Sequence, residues 1–282
     1  MDDKAKVKEF YDTVGDAYDV GSDMDGPLYP SNRTRVLHCL DVLAKAGVHR
    51  VLDAGCGTGL VLKELLDLGY DAHGFDLSEE AAGFARDRLL KAGYDPNLVW
   101  VQDIEAIPDR PDVPAYFDAA LAIGPLAHLA DIRKALEGLY ATLRTGGLLL
   151  VEHRNAFFNL YAMNDGTVSF LKDIMPQSPE SDFAVEMLKE LLPYRLAVPG
   201  DTHNMTAVPS VWENPLTIDA KYRAAGFKVV DKLWFHWHAQ PPQFEPVNPA
   251  AYRKASLEME WIPHDPRGIF MASAFILVAE KI

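Results

Sequence analysis

At 282 residues and 49% apolar content, the chain is long enough to bury a sizeable core, as one large domain or a domain carrying an insertion. Its formal net charge of -14, with no run of Lys and Arg to offset it, repels phosphate backbones and anionic lipid. Nucleic acid and membrane surfaces are thereby excluded as general partners.

In chain order, residues 4–20 predict a helix, with Val7, Phe10, Tyr11 and Val14 at helical spacing. A turn-rich stretch, 21–30, leads to a second helix over 31–46, capped by Ser31 or Asn32. Short apolar runs then alternate with amphipathic helices. Strands are expected from Val51 and over 71–76, 98–102, 117–123 and 147–153, with helices over 60–68, 78–92 and 129–144. Apolar strands such as Leu148-Leu149-Leu150-Val151 suit a parallel sheet covered on both faces, which indicates a doubly wound α/β layout. Residues 155–215 lose this rhythm and read as an insertion. Regularity returns with a helix over 217–225 and strands over 227–238 and 269–280, joined by a Pro-rich connection holding a short helix.

Cys39 and Cys56 are the two cysteines, and a disulfide would distort the glycine-rich turn around Cys56, so both read as reduced thiols. Met1-Asp2-Asp3-Lys4 is unlike a signal peptide, and no apolar run approaches the roughly 20 residues of a bilayer span. The expectation is a cytoplasmic protein.

The chemistry concentrates between Val51 and Asp76. Val51-Leu52-Asp53-Ala54-Gly55-Cys56-Gly57-Thr58-Gly59 sets three glycines at alternate positions between a strand and a helix, where backbone and free amides face a ligand. Leu60 stands where a dinucleotide fingerprint needs its last glycine, and Asp53 precedes the first glycine by two. A carboxylate there repels pyrophosphate but suits an ammonium or a sulfonium.

This stretch resembles the glycine-rich motif of the class I S-adenosylmethionine-dependent methyltransferases. The resemblance implies S-adenosyl-L-methionine as cofactor, with Asp53 beside its methionine moiety and Gly55, Gly57 and Gly59 letting it cross the sheet edge. Asp76, in Gly74-Phe75-Asp76-Leu77-Ser78, matches the acidic residue that receives the ribose diol, with Leu77 beside it. Val101-Gln102-Asp103-Ile104-Glu105 resembles the third motif, which implies Asp103 on the adenine amino group and the Ile104 amide nearby. Phe117 to Gly124 resembles the fourth strand, whose end, at Ala122, faces the donor. The turn Leu143-Arg144-Thr145-Gly146-Gly147 resembles the one before the fifth strand. In this family the N-terminal segment folds over the cofactor, which implies Tyr18 or Tyr29, and Arg33 or Arg35, at the methionine carboxylate. His128, after the fourth strand, is expected to contact the cofactor.

For the acceptor, the carboxyl ends of the strands offer His153, in Glu152-His153-Arg154-Asn155, as the expected general base. His203, in the insertion, is a further polar candidate. For an amine acceptor, Glu152 or Asp131 would orient the nucleophile instead. Trp234-Phe235-His236-Trp237-His238 carries an H-x-H pair whose two rings share a face of a regular strand. No Asp, Glu or Cys cluster accompanies it, so packing is preferred to a metal site.

The resulting expectation is a Rossmann-like, seven-stranded, mostly parallel sheet with the last strand antiparallel and helices on both faces. Residues 1–154 hold N-terminal cap helices and the cofactor-binding core, 155–215 an inserted substrate lid, and 216–282 the completion of the sheet. The activity expected is methylation of a small molecule by a monomer or homodimer. Oxygen is favoured over nitrogen because histidines are available. The competing readings are a non-catalytic S-adenosylmethionine sensor or scaffold and, against the glycine spacing, a nicotinamide-dependent oxidoreductase.

Overall fold

The computed structural model describes residues 8–9, 29–30, 32–109, 116–129, 131–163, 165–191 and 210–282. The first predicted helix lies outside them apart from Lys8 and Glu9, which are helical; Tyr18 and His203 lie outside them too. Helix α1 (Asn32–Ala46) buries Val36, Cys39 and Leu43, a stripe at helical spacing. It leads into β1 (Arg50–Ala54), α2 (Leu60–Asp67), β2 (Asp71–Asp76) and α3 (Glu79–Lys91). Ser78 caps α3, accepting from the Ala81 amide at 3.0 Å, with Glu79 and Glu80 in the first turn and Arg88 and Lys91 in the last. Both charge placements complement the helix dipole. The first half closes with β3 (Val99–Val101), β4 (Phe117–Ala122), α4 (Arg133–Thr142) and β5 (Leu143–Asn155).

Three helices then follow, α5 (Phe158–Ala162), α6 (Asp165–Ile174) and α7 (Pro179–Leu191). The chain resumes the sheet with β6 (Trp212–Glu213), α8 (Asp219–Ala224), β7 (Phe227–Trp237), α9 (Pro249–Met259), α10 (Gly268–Met271) and β8 (Ala272–Lys281).

The strand order is β3-β2-β1-β4-β5-β8-β7, and the two-residue β6 extends the sheet along β5. Strand β8 is antiparallel to both β5 and β7; the other pairings are parallel. The order reverses between β1 and β4, so a crevice opens beyond their carboxyl ends, where open α/β sheets bind ligands. Alternation sorts the strand residues into two layers. Leu52, Leu149 and Val151 pack with α4 and α8, whereas Val51 and Leu150 pack with α1, α2 and α3.

The expected α/β sheet is therefore present with its antiparallel strand, and four local readings change. Among the described residues the sheet counts eight strands, the seven expected and β6, a piece too brief for any periodicity. Helix α4 starts at Arg133 instead of 129, because Pro125–His128 form a separate 3-10 turn. Residues 268–271 are helical, so β8 starts at Ala272. In β7, His236 has a left-handed backbone, φ 54°. Leu233 and Phe235 face one layer, but Trp237 joins Trp234 in the other, so regular alternation breaks at His236. The H-x-H pair does not sit on one regular strand face, and no group of three metal-ligating side chains occurs among the described residues.

Candidate active site

The glycine turn is built by close packing on two sides and openness on the third. A Cβ on Gly55 would lie 2.7 Å from Pro125 Cγ, and one on Gly59 would lie 2.9 Å from Ala85 Cβ. Both glycines also have positive φ, 82° and 79°, which other residues adopt at a cost of about 1–2 kcal/mol. A Cβ on Gly57 would meet nothing within 4 Å. The turn thus presses against the β4 turn and α3 and leaves its middle peptide exposed to a ligand. The Phe75 carbonyl accepts from the Gly55 and Cys56 amides at 2.8 and 2.9 Å, tying the turn to β2.

Two carboxylates flank it. Asp53 is 3% exposed, and its Oδ2 has no hydrogen-bond partner among the described residues. Burial, and then the Asp76 charge, push its carboxyl up to about 7. Asp76 closes β2, its Oδ2 accepting from the Gly57 amide at 2.8 Å and its Oδ1 from the Ser78 amide at 2.9 Å. Leu77, between Asp76 and Ser78, is half-buried. Beyond β3, Asp103 accepts from the Glu105 amide at 2.9 Å and so shapes the turn that holds Ile104, which is buried. Ala122 places its side chain in the core at the end of β4, leaving its backbone to face the crevice. His128 ends the 3-10 turn that Pro125 begins, and the Val211 amide bonds the neighbouring Ala127 carbonyl at 2.7 Å. Cys56 is buried, which raises its thiol well above its usual range; it fills space beside Gly74 and is no nucleophile.

The structure therefore gathers Asp53, the three glycines, Asp76, Leu77, Ala122 and His128 around one sheet edge. Arg33 is held by Glu64 of α2, with Nη2 2.6 Å from Oε1. Arg35 Nη1 donates to Glu152 Oε2 at 2.7 Å. These two ion pairs fasten the start of α1 across the glycine turn's helix and the end of β5.

His153 is placed otherwise than a general base requires. It shares its face of β5 with Leu149 and Val151, so its ring points into the α8 layer, 1% exposed. Nε2 lies 2.6 Å from the Tyr222 hydroxyl, and the ring tilts against Phe275 at 5.5 Å between centroids. Burial, and then the Lys221 charge, hold its pKa down to about 3. A ring so enclosed has no open face for an acceptor, which corrects the expectation of a base there. Its replacement by alanine is expected to cost about 2–4 kcal/mol of stability, through a cavity and a lost buried hydrogen bond, with S-adenosylhomocysteine affinity unchanged. Denaturant midpoints and calorimetry check this; an unchanged midpoint would refute the structural role.

A second polar cluster takes shape where β7 ends, on the same edge as the end of β5. His238 Nδ1 lies 2.6 Å from the Tyr29 hydroxyl and 2.9 Å from that of Tyr252, which donates to the Gln240 carbonyl at 3.1 Å. The Phe158 ring of α5 lies 4.6 Å from the imidazole. Glu260, 1% exposed, accepts from the His236 and Trp237 amides at 3.2 and 2.9 Å and thereby holds the left-handed residue in place. Tyr252, Phe158 and Glu260 escaped sequence reasoning, which singled out the H-x-H pair and Tyr29, the latter for the methionine carboxylate; the structure puts Tyr29 on His238.

Comparison with known proteins follows the same geometry. Residues 52–149, which run from β1 into β5, match a family model described as "Methyltransferase domain". The ubiquinone biosynthesis O-methyltransferase of Paraburkholderia phymatum is 31% identical over 163 residues, 57% of this chain and 68% of that protein. The chain belongs to the class I S-adenosylmethionine-dependent methyltransferases. The glycine N-methyltransferase of Rattus norvegicus is 28% identical over 184 residues, 57% of this methyltransferase and 61% of the relative. The magnesium protoporphyrin IX methyltransferase of Synechocystis PCC 6803 with bound S-adenosylhomocysteine shares the fold, at TM-score 0.56 and 15% identity. That alignment covers 99% of this methyltransferase and 100% of the other chain. The cofactor is S-adenosylmethionine, and the chain's residues fit it. Asp53 has a buried oxygen without a hydrogen-bond partner among the described residues, able to meet a cationic group, and the Gly57 peptide has open space over it.

Proposed function

We propose that this methyltransferase methylates an oxygen of a small-molecule acceptor. The observation that carries the reading is the Tyr29–His238–Tyr252 cluster, a set of hydroxyl and imidazole groups at the carboxyl end of β7, the end of the sheet that also holds the glycine turn. An amine would instead want a carboxylate. Glu152 is engaged by Arg35, Glu260 by backbone amides, and Asp131 is exposed and accepts from the Arg133 amide.

In this reading Asp53 faces the methionine moiety, Asp76 receives the ribose hydroxyls and Asp103 lies toward the adenine, with Ile104, Leu77, Ala122 and His128 lining the remainder. Helices α5 to α7, within residues 155–215, cover the acceptor. Bound S-adenosylmethionine supplies an activated methyl group on a sulfonium. The chain's own task is to align the acceptor, exclude water and remove a proton. Transfer of labelled methyl from S-adenosylmethionine to a mixed panel of phenols and primary amines tests the reading. Label in ether products is expected. Label in amines alone would overturn the oxygen reading, and no transfer at all with S-adenosylhomocysteine bound would favour a sensor.

The Asp53 placement adds a pH signature. Its carboxyl is raised from 3.8 to about 7, so the ligand-free fold keeps a proton that the unfolded chain has lost. That contribution to stability is complete below the unfolded value and fades as pH rises through about 7. A cationic ligand favours the ionised form. S-adenosylmethionine affinity is therefore expected to rise between about pH 6 and 8, with proton release on binding at the acid end. Calorimetry in two buffers of different ionisation heat measures both; equal affinity and no proton release would remove Asp53 from the cation.

A further inference from the structure

We propose that Tyr29 and His238 form a two-step proton relay in which the Tyr29 hydroxyl takes the proton of an acceptor hydroxyl while passing its own to His238 Nδ1. The inference rests on the oxygen-methylation reading and deepens it. Three observations support it. The first is position. Tyr29 precedes α1, whose first turns are fixed by Arg33 to α2 and by Arg35 to the end of β5. Strand β7 runs parallel to β5, since both are antiparallel to β8, so His238 leaves the sheet at the same edge. The pair therefore stands at the same end of the sheet as the glycine turn, on the outermost strand, with Tyr29 leading into the helix that reaches back to α2 and β5.

The second is exposure. His238 is 1% and Tyr252 is 4% exposed, whereas Tyr29 is only half-buried. Of the three, Tyr29 alone presents appreciable surface outward, so an acceptor reaches the imidazole through the phenol. The third is the structural outlay on the geometry. Glu260 is buried to bind the two amides at the left-handed His236, and this break in alternation turns His238 toward Tyr29 rather than into the Trp234 layer. Backbone held in such a region clusters at functional sites.

The balance is simple. The acceptor O–H bond breaks and a Tyr29 O–H bond forms; the former Tyr29 proton forms an N–H bond on Nδ1, with the second imidazole proton on Nε2. The acceptor oxygen keeps the electron pair that becomes its bond to the methyl carbon, and the sulfur keeps the pair of the bond it loses. The imidazolium later returns its proton to Tyr29, which releases one to solvent. Tyr29 itself stays a phenol at rest, because burial, then Tyr252 and the Glu245 and Glu260 carboxylates oppose its charge. The same argument narrows the acceptor. A neutral imidazole can draw a proton through a tyrosine from a group as acidic as that phenol, about 10, but not from an aliphatic alcohol about as weak as water, near 15.7. The relay suits a phenol or an enol.

The test uses the full chain with S-adenosylhomocysteine and 4-nitrophenol, whose anion is coloured, followed by methyl transfer to catechol. The titratable groups around the pair are Tyr252 and Tyr161, whose own hydroxyls burial raises, with Glu245 and Glu260. In the wild-type complex the bound nitrophenol is expected to ionise about one pH unit lower than free nitrophenol, a shift lost in Tyr29→Phe and His238→Gln. Catechol methylation is expected to fall about 100-fold in Tyr29→Phe, and its rise with pH to flatten in His238→Gln. Thermal midpoints and S-adenosylhomocysteine affinity serve as controls for folding and for the donor site. Tyr29→Phe retaining both the shift and the rate would overturn the relay. So would wild-type protein that binds S-adenosylhomocysteine but neither ionises nitrophenol nor methylates catechol. Failure to bind S-adenosylhomocysteine would instead indict the donor site.

Discussion

Replacing Glu260 with alanine is expected to destabilise the protein by about 2–5 kcal/mol, the larger of the effects anticipated here. The carboxylate is buried at 1% exposure and accepts from two consecutive amides, those of His236 and Trp237. Each buried amide left without a partner costs about 1–3 kcal/mol. The left-handed His236 adds about 1–2 kcal/mol that nothing then offsets. Glu260→Gln keeps one accepting oxygen and is expected to lose roughly half as much. Urea titration measures both, since a shift in midpoint at constant slope reports stability alone. A Glu260→Ala midpoint equal to the wild type would mean that the kink holds without its carboxylate. The variant should also lose nitrophenol ionisation out of proportion to its stability, because His238 follows the kink by two residues.

The second large effect belongs to Asp76. Its two oxygens already accept from Gly57 and Ser78, so the carboxylate shapes the glycine turn before any ligand arrives. Asp76→Ala is expected to weaken S-adenosylhomocysteine binding by about 1–3 kcal/mol, roughly 5- to 150-fold, through lost ribose contacts and a loosened turn. Asp76→Asn retains an acceptor for one amide and should separate the two contributions, keeping the turn while weakening the diol contact. Calorimetric affinity unchanged in both variants would place the ribose elsewhere.

The family and the shape of the glycine turn were legible because they are local. Between Val51 and Asp76 the chain runs strand, turn, helix, strand with short loops, so spacing in the sequence translates directly into spacing in space. Asp53, Gly55 and Asp76 needed no distant partner to be recognised. The Tyr29–His238 corner is assembled from separations that periodicity does not record. Tyr29 meets His238 across 209 positions, and Arg35 meets Glu152 across 117. His153 misled for a related reason. Its strand end was foreseen, but the side of the sheet it faces depends on register against β8 and on α8, which lie far along the chain. Residues 155–215 lacked strand rhythm because their described part is mostly helical, and helices α6 and α7 were passed over as irregular.

Strand β8 sits between β5 and β7, although it is made after both. As the chain emerges during synthesis, β1 to β5 can pair in sequence and enclose the glycine turn, with Asp53 and Asp76 already in place. Strand β7 has no such opportunity; until β8 is inserted it has no neighbour in the sheet. His238 therefore reaches Tyr29 only when the sheet is finished from within. The glycine turn thus depends on strands that are close in sequence, whereas the Tyr29–His238 contact depends on the last strand made.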